Sequence, residues 1–377
     1  MKRKIGVLLL IVSLLAGCSV SVITYPRYGS LEAFVGIPYN PNIPAPQNAD
    51  LLVESEELEI IPLNYEREHL YPLKHAKVTI DGIPGETDHE GILRMYRIPV
   101  GIHEFTVEHE CLNDVAPKYI QIHEGKNGPE NIRYGGVGYF LSIGVEHNQQ
   151  CTFIANGAAD DAQRFHNELK NNNTLYAAHK LLQNEQARKS DILDEITGFV
   201  NTSHSEDDYL VIYFAGRMGR DFLSPYDDDP FGSWDRKTTI KDADLKRSLS
   251  GFKGDVTLIL EGTQSASFFD GERMPYEEKR EPLAFQGTDY TVIASAIDYS
   301  YAEDLYPYHG IFTDCFIEAI RHLRRENRQD GLITAGAVFD YVEPSVWNRT
   351  IDGDYGPQSS AIYKGSNKDN VIYRYRY

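Results

Sequence analysis

The side chains best placed for chemistry lie in two loops that each follow an apolar run. The first loop, residues 215–220, reads AGRMGR, and the second, residues 261–267, reads EGTQSAS. Arg217 carries a guanidinium that stays protonated at ordinary pH, so it cannot act as a general base. Thr263 offers a hydroxyl, which needs an adjacent base before it can attack a carbonyl. These two residues alone therefore do not make a nucleophile and its base.

Other nucleophiles lie near a histidine in the sequence. Cys315 follows His309 by six residues, and Cys151 follows His147 by four. Reactivity depends on thiolate character and exposure, and cysteines at such positions are more often buried and inert. The two serines of the second loop lack the GxSxG turn of the α/β-hydrolases. We expect structural roles for all of these residues.

The cysteine pattern indicates neither a metal nor a cofactor. After Cys18, only Cys111, Cys151 and Cys315 remain, and none of them has CxxC or CxxH spacing. One disulfide could form in an exported protein, but the odd number leaves at least one thiol unpaired.

Strand and helix signals alternate from residue 138 to the end of the chain. A helix beginning at Asp160 places Ala162, Phe165 and Leu169 on one face. The predicted strands are residues 139–143, 209–214, 256–260, 291–296 and 371–375, and further helices are predicted near residues 190–200, 242–249 and 312–327. This order predicts an α/β fold with a mainly parallel sheet covered on both faces. The alternating tyrosines of residues 373–377 are predicted to close that sheet as an edge strand.

Both loops resemble motifs of the caspases and metacaspases. The first resembles the family's histidine loop, commonly written FSGHG or FAGHG, and the second resembles its cysteine loop, DACHSG. Four further stretches match family motifs in the same order: GAADDA at 157–162, LSPYD at 223–227, HGIFT at 309–313 and DGLIT at 330–334. The resemblance covers residues 138–377 and implies a caspase-like domain with a six-stranded, mainly parallel sheet flanked by helices.

The same resemblance implies that the catalytic pair is lost. The family's histidine aligns with Arg217 and its nucleophilic cysteine aligns with Thr263. Metacaspases, which cut after Lys or Arg, hold the basic side chain with acidic residues that align here with Asp161 and Glu261. A pocket for a Lys or Arg side chain is therefore expected at Asp161 and Glu261. The alternative is that Asp161 caps its helix and Glu261 forms an ion pair with a neighbour such as Arg217.

The N-terminus reads as a lipoprotein signal. Three basic residues precede an apolar stretch of residues 5–16, and LAGC follows at residues 15–18. We expect residues 1–17 to be removed and Cys18 to carry lipid chains that hold the protein on a membrane surface. The apolar stretch is shorter than the roughly 20 residues that span a bilayer. Ser19 after the cysteine favours the outer membrane in a host with two membranes.

Two segments separate this signal from the caspase-like domain. Residues 18–70 are rich in proline and tyrosine and are predicted to be a tether. Residues 71–133 contain short alternating runs separated by turn residues, which predicts a small all-β sandwich. The runs VTIDG at 78–82 and IPVGIH at 98–103 resemble PEGA-type and related prealbumin-like modules of bacterial surface proteins.

The charge balance restricts the partners. The chain has 37 Lys and Arg residues against 56 Asp and Glu residues, a formal net charge of −19, so nucleic acid is not an expected partner. Three functions remain open: a non-catalytic scaffold that binds a peptide or protein with exposed Lys or Arg, an active caspase-family peptidase with rearranged catalytic residues, and a purely architectural protein of the cell envelope.

Overall fold

The computed structural model of the 377-residue chain describes most of it from Arg27 onward. The described residues are 27–38, 70–112, 117–149, 155, 157–170, 176–203, 205–229, 238–268, 285, 288–297, 304–305, 309–326, 331–352, 357–365 and 369–375. The predicted signal peptide, Cys18 and most of the predicted tether lie outside the described residues.

The N-terminal unit consists of two small sheets around one apolar core. Its strands are β1 (Tyr28–Pro38), β2 (Leu70–Pro72), β3 (Lys77–Ile80), β4 (Ile83–Glu86), β5 (Ile92–Pro99), β6 (Gly101–Glu108), β7 (Lys118–Ile122) and β8 (Gly125–Arg133). In one sheet, β1 pairs with β2 and β5 antiparallel and with β8 parallel; the other has the order β4-β3-β6-β7. In β3 and β6 alternate residues face the core, as the period of a strand requires, whereas no residue of β4 is buried.

Strand β1 corrects the predicted extent of the tether. The composition of residues 18–70 predicts that residues 28–38 belong to the tether, yet they form the strand that joins the other three of its sheet. Prolines are absent between Tyr28 and Ile37, and Leu31, Ala33 and Val35 alternate into the core. The alternation outweighs the composition because a strand needs only its own residues to be free of proline.

The C-terminal unit contains the remaining elements. Its strands are β9 (Gly138–Val145), β10 (Tyr176–Gln183), β11 (Tyr209–Gly216), β12 (Met218–Gly219), β13 (Phe222–Leu223), β14 (Ile240–Lys241), β15 (Asp255–Glu261), β16 (Thr291–Ala294), β17 (Asp304–Leu305), β18 (His309–Gly310), β19 (Gly331–Thr334), β20 (Ala361–Lys364) and β21 (Val371–Tyr375). Its helices are α1 (Ala158–Leu169), α2 (Lys189–Thr202), α3 (Asp242–Leu249), α4 (Ile311–Glu326) and α5 (Ala335–Thr350).

A six-stranded sheet organises this unit, as the sequence predicts. Its order is β10-β9-β11-β15-β16-β20, and every pairing is parallel except that of β20 with β16. One face packs against α1, α4 and α5, and the other packs against α2 and α3. Because both faces are covered, the central strands are mostly apolar. The order reverses between β9 and β11, so ligands are expected at the carboxyl ends near that point.

The edge of this sheet differs from the prediction. Residues 371–375 form β21, which pairs antiparallel with β19 in a separate two-stranded sheet, whereas β20 closes the main sheet. All five residues of β21 are buried, so the alternation of Tyr and Arg does not mark a half-exposed edge. Arg374 is buried because its guanidinium donates to the Gly136 carbonyl and lies over the Tyr209 ring.

Candidate functional site

The two loops singled out in the sequence meet at the carboxyl edge of the main sheet. Strands β11 and β15 are parallel neighbours, and the last residues paired between them are Ala215 and Glu261. Arg217 and Thr263 each follow that pair by two residues, so the register brings them to the same place. Arg217 is exposed and Thr263 is half-buried. The two loops therefore meet at the carboxyl ends of neighbouring strands.

Two glycines let these loops approach each other. A side chain at Gly262 would come within 2.6 Å of the Gly216 carbonyl oxygen, and one at Gly216 would come within 2.9 Å of the Val145 carbonyl oxygen. Glycine is the residue that permits such backbone contacts. The loop backbones are consequently packed against one another and against the end of β9.

Hydrogen bonds to buried serine hydroxyls hold the backbone of the second loop in place. The Gly262 amide donates to Ser295 Oγ at 3.0 Å, and the Ala296 amide donates to Ser265 Oγ at 3.0 Å. Ser267 Oγ in turn accepts from the Asp221 amide at 3.0 Å, which ties in the turn after the first loop. Ser265 and Ser267 are fully buried. They hold backbone in place, in agreement with the structural role expected for them.

Asp161 and Glu261 lie together, both beside Gly310. The Gly310 amide donates to Asp161 Oδ2 at 2.9 Å, and any side chain at Gly310 would overlap Glu261 Oε1. Both carboxylates are buried. The sequence resemblance thus identified two residues that tertiary structure places side by side, although a hundred residues separate them in the chain.

Each carboxylate already accepts hydrogen bonds from the protein. Glu261 accepts from the Tyr213 hydroxyl at 2.5 Å, from the Thr313 amide at 3.2 Å and from the Thr313 hydroxyl. Asp161 also accepts from Arg164 at 3.4 Å. Burial, and then the charge of Glu261, raise the pKa of Tyr213 well above 10, so it remains a donor. Binding of a Lys or Arg side chain here stays a prediction.

Tyr213 and Thr313 are the members of this cluster that sequence reasoning missed. Tyr213 lies inside an apolar strand and reads as core, while Thr313 belongs to the HGIFT stretch that resembles a family motif. The motif signalled that this stretch matters. It gave no reason to expect that the threonine faces a glutamate on a distant strand.

The described cysteines do not offer an alternative nucleophile. Cys315 is fully buried in α4, and burial raises the pKa of its thiol to about 12. Cys111 is buried in the core of the N-terminal unit. Cys151 and the side chain of His309 lie outside the described residues. A thiolate is the reactive form of cysteine, so Cys315 is unsuited to attack at neutral pH.

The described residues contain no group of three or more His, Cys, Asp and Glu side chains arranged to hold a metal ion. Among the helices there, none is both long and apolar enough to cross a bilayer.

Comparison with known families decides the classification. The model of the caspase domain matches residues 141–361, which is more than half of the chain. The chain belongs to the caspase family. The match begins in β9 and ends at the first residue of β20, so it contains β10, β11, β15 and β16 in full and most of β9. The caspase-like α/β fold predicted from the sequence is confirmed.

The solved structures that resemble this chain share little sequence identity with it. Caspase-1 from Spodoptera frugiperda is 14% identical, with a TM-score of 0.44 over 62% of this chain and 90% of that one. A protein from Geobacter sulfurreducens is 12% identical, with a TM-score of 0.42 over 60% of this chain and 92% of that one. No curated protein sequence matches the chain.

Within the caspase family, the departure at the two loops stands out. The positions that the loop motifs assign to the catalytic histidine and cysteine hold Arg217 and Thr263, at the ends of neighbouring strands. The surrounding framework of glycines and serines is ordered around them. Arg217 and Thr263 therefore remain the predicted counterparts of the family's catalytic pair.

Proposed function

We propose that this chain is a lipid-anchored envelope protein whose caspase-like domain binds a peptide or protein without cutting it. The observation that carries the proposal is the pair Arg217 and Thr263 at adjacent strand ends. A guanidinium cannot accept the proton that a nucleophile must lose. A threonine hydroxyl without a base remains protonated and unreactive near neutrality.

The packing around the pair is compatible with a binding role. Gly262, Ser265 and Ser295 hold the backbone in a compact arrangement at the carboxyl ends of the strands, where α/β sheets bind ligands. Asp161 and Glu261 add negative charge beneath this edge, which favours a partner with exposed Lys or Arg.

Anchoring is proposed from the sequence signal. Lipidation of Cys18 would tether the protein to the membrane, and Ser19 favours the outer membrane of a host with two membranes. The N-terminal sandwich then acts as the spacer between the membrane and the caspase-like domain.

The test of the catalytic part compares cleavage of fluorogenic peptides with Lys, Arg or Asp at the scissile position. We expect no turnover by the natural protein and measurable turnover by the double variant Arg217→His, Thr263→Cys. Thr263→Ala serves as the control for background hydrolysis. Turnover by the natural protein that disappears in Thr263→Ala would contradict the proposal and favour an active peptidase with rearranged residues.

The test of the binding part uses the same peptides with a fluorophore and no cleavable reporter. Fluorescence anisotropy should rise with peptides that contain Lys or Arg and change little when these are replaced by norleucine. Absence of binding by any peptide would instead favour a purely architectural role.

A further inference from the structure

An exposed apolar patch lies at one end of the N-terminal sandwich. Seven large apolar side chains are notably exposed among the described residues, and four of them lie around the turn between β5 and β6. Three of them, which we call the turn patch, are Tyr28 at 48% exposure, Tyr96 at 71% and Val100 at 40%; Ile102 lies on β6 of the opposite sheet. Clustered exposure of this kind, unlike scattered single residues, marks a surface that contacts something.

The pairing of β1 with β5 makes most of this patch continuous. Tyr28 is opposite Pro99 and Ser30 is opposite Tyr96, so Tyr28 and Tyr96 project from the same outer face of the sheet. The Val100 amide donates to the Arg27 carbonyl at 3.0 Å, which places Val100 beside the start of β1. A β-bulge at Arg97, with φ of 59°, bends strand β5 at this point.

A buried histidine holds the turn in place. His103 has one ring nitrogen 2.7 Å from the Pro99 carbonyl oxygen and the other 2.6 Å from Asp81 Oδ2. The Glu104 amide also donates to Asp81 Oδ1 at 2.8 Å. The turn is therefore fixed before it meets a partner, so binding through it does not require a loop to be ordered.

Basic side chains border the patch although the whole chain is acidic. Arg27 and Lys126 have side chains 72% and 65% exposed, and Arg97 is also exposed. Arg27 lies near Glu124 and Lys126 near Glu32, both at the surface. Arg and Lys at the edge of an aromatic surface suit the lipid–water boundary, where the stems pack on apolar groups and the charges reach phosphates.

The position of the patch relative to the anchor selects the partner. The described chain begins at Arg27, nine residues after Cys18, and nine residues reach at most about 30 Å when fully extended. From these observations we propose that the turn patch rests on the phospholipid surface beside the lipid anchor. Tyrosines are typical of this boundary because the ring is apolar and the hydroxyl is wet. The inference rests on the proposed lipidation of Cys18.

The test is carried out on the full-length protein extracted from membranes. The mass of its N-terminal peptide first establishes whether Cys18 is acylated. The protein is then reconstituted into vesicles of phosphatidylethanolamine and phosphatidylglycerol, with and without brominated acyl chains, which quench tryptophan at short range. Tyr96→Trp and Val100→Trp report on the patch. Ile351→Trp is the matched control, since Ile351 is 50% exposed and follows α5 of the other unit.

Each outcome decides a separate point. The fluorescence of the protein's own tryptophans is first subtracted. Docking is supported if brominated lipids quench Tyr96→Trp and Val100→Trp several-fold more strongly than Ile351→Trp. Equal, weak quenching in an acylated protein overturns it while leaving the anchor intact. If the tryptophan emission of these variants shifts to the blue as the protein concentration rises, and brominated lipids do not quench it, the patch contacts a second copy of the chain and membrane docking is overturned. An unacylated Cys18 overturns the anchor itself and, with it, this inference.

Discussion

Glu261 shows how a residue that resembles a binding group can also be part of the core. Its carboxylate is buried and accepts hydrogen bonds from Tyr213 and from both the amide and the hydroxyl of Thr313. A buried carboxylate is stable only when such donors replace water. The residues that hold Glu261 are therefore as important to the site as Glu261 itself.

Thr313→Val should destabilise the protein by about 1–3 kcal/mol, because it removes one donor from a buried acceptor and keeps the side-chain shape. The midpoint of urea unfolding would report the loss. Thr197→Val is the control, since Thr197 is exposed and its hydroxyl bonds only within α2; it should change the unfolding free energy by less than about 0.5 kcal/mol. Equal effects of the two substitutions would show that Glu261 does not depend on Thr313.

At the scale of elements, α1 is joined to the edge strand β10 through aromatic contacts. The His166 ring stacks on Phe140 with 5.3 Å between centroids and meets the His179 ring edge-on at 5.0 Å. His166 is buried, and desolvation, followed by the nearby charges of His179 and Lys170, lowers the pKa of His166 from 6.5 to about 4. This contact between α1 and β10 requires a neutral imidazole.

Acid should weaken this contact. The unfolded chain protonates His166 near pH 6.5 and the folded chain only near pH 4. Between these values the unfolded state binds more protons, so the free energy of unfolding falls as the pH falls. The full loss is roughly 3 kcal/mol. It is complete only below about pH 4.

The pH dependence can be measured against a matched variant. The thermal midpoint of His166→Gln should decline less between pH 7 and pH 4 than that of the natural protein. His322→Gln, at a half-buried position on α4 beside Glu326, should decline as the natural protein does. Parallel curves for all three proteins would exclude His166 as the source of the acid sensitivity.

At the scale of the whole molecule, polar contacts join the two units. Asp208 is buried and accepts from the Val137 amide at 2.7 Å and from Arg133 at 3.3 Å, which ties the end of the sandwich to the start of β11. Arg374 of β21 donates to the Gly136 carbonyl at 2.8 Å. The segment between the units is thus held from two sides, and we expect the sandwich and the caspase-like domain to unfold together.

Calorimetry tests this coupling. The natural protein should show one unfolding transition. Asp208→Ala should lower the free energy of unfolding by about 3–5 kcal/mol, because Arg133 and the Val137 amide lose a buried acceptor, and should separate the transition into two. Asp352→Ala, at an exposed position after α5, should leave a single transition unchanged. Two transitions in the natural protein would show that the units are independent.

The sequence alone determined the class of fold and led to a prediction for the place of the site. Apolar runs and helical spacing are local properties, so the strands around residues 139–143, 209–214 and 256–260 and the helix around 312–327 could be predicted, and the motifs of the two loops identified Arg217 and Thr263. Strand β10 and helix α5 were missed. In β10 the polar His179 and the charged Lys180 interrupt the apolar run, and α5 contains Pro344, which is atypical inside a helix.

Only the tertiary structure decided which residues meet. It placed β1 in the sandwich and β20 at the sheet edge, and it brought Thr313 to Glu261 and Arg374 to Gly136 across long stretches of chain. Such pairings depend on which polar groups are buried together and must satisfy one another. That condition arises after the sheet has formed, so no local pattern in the sequence encodes it.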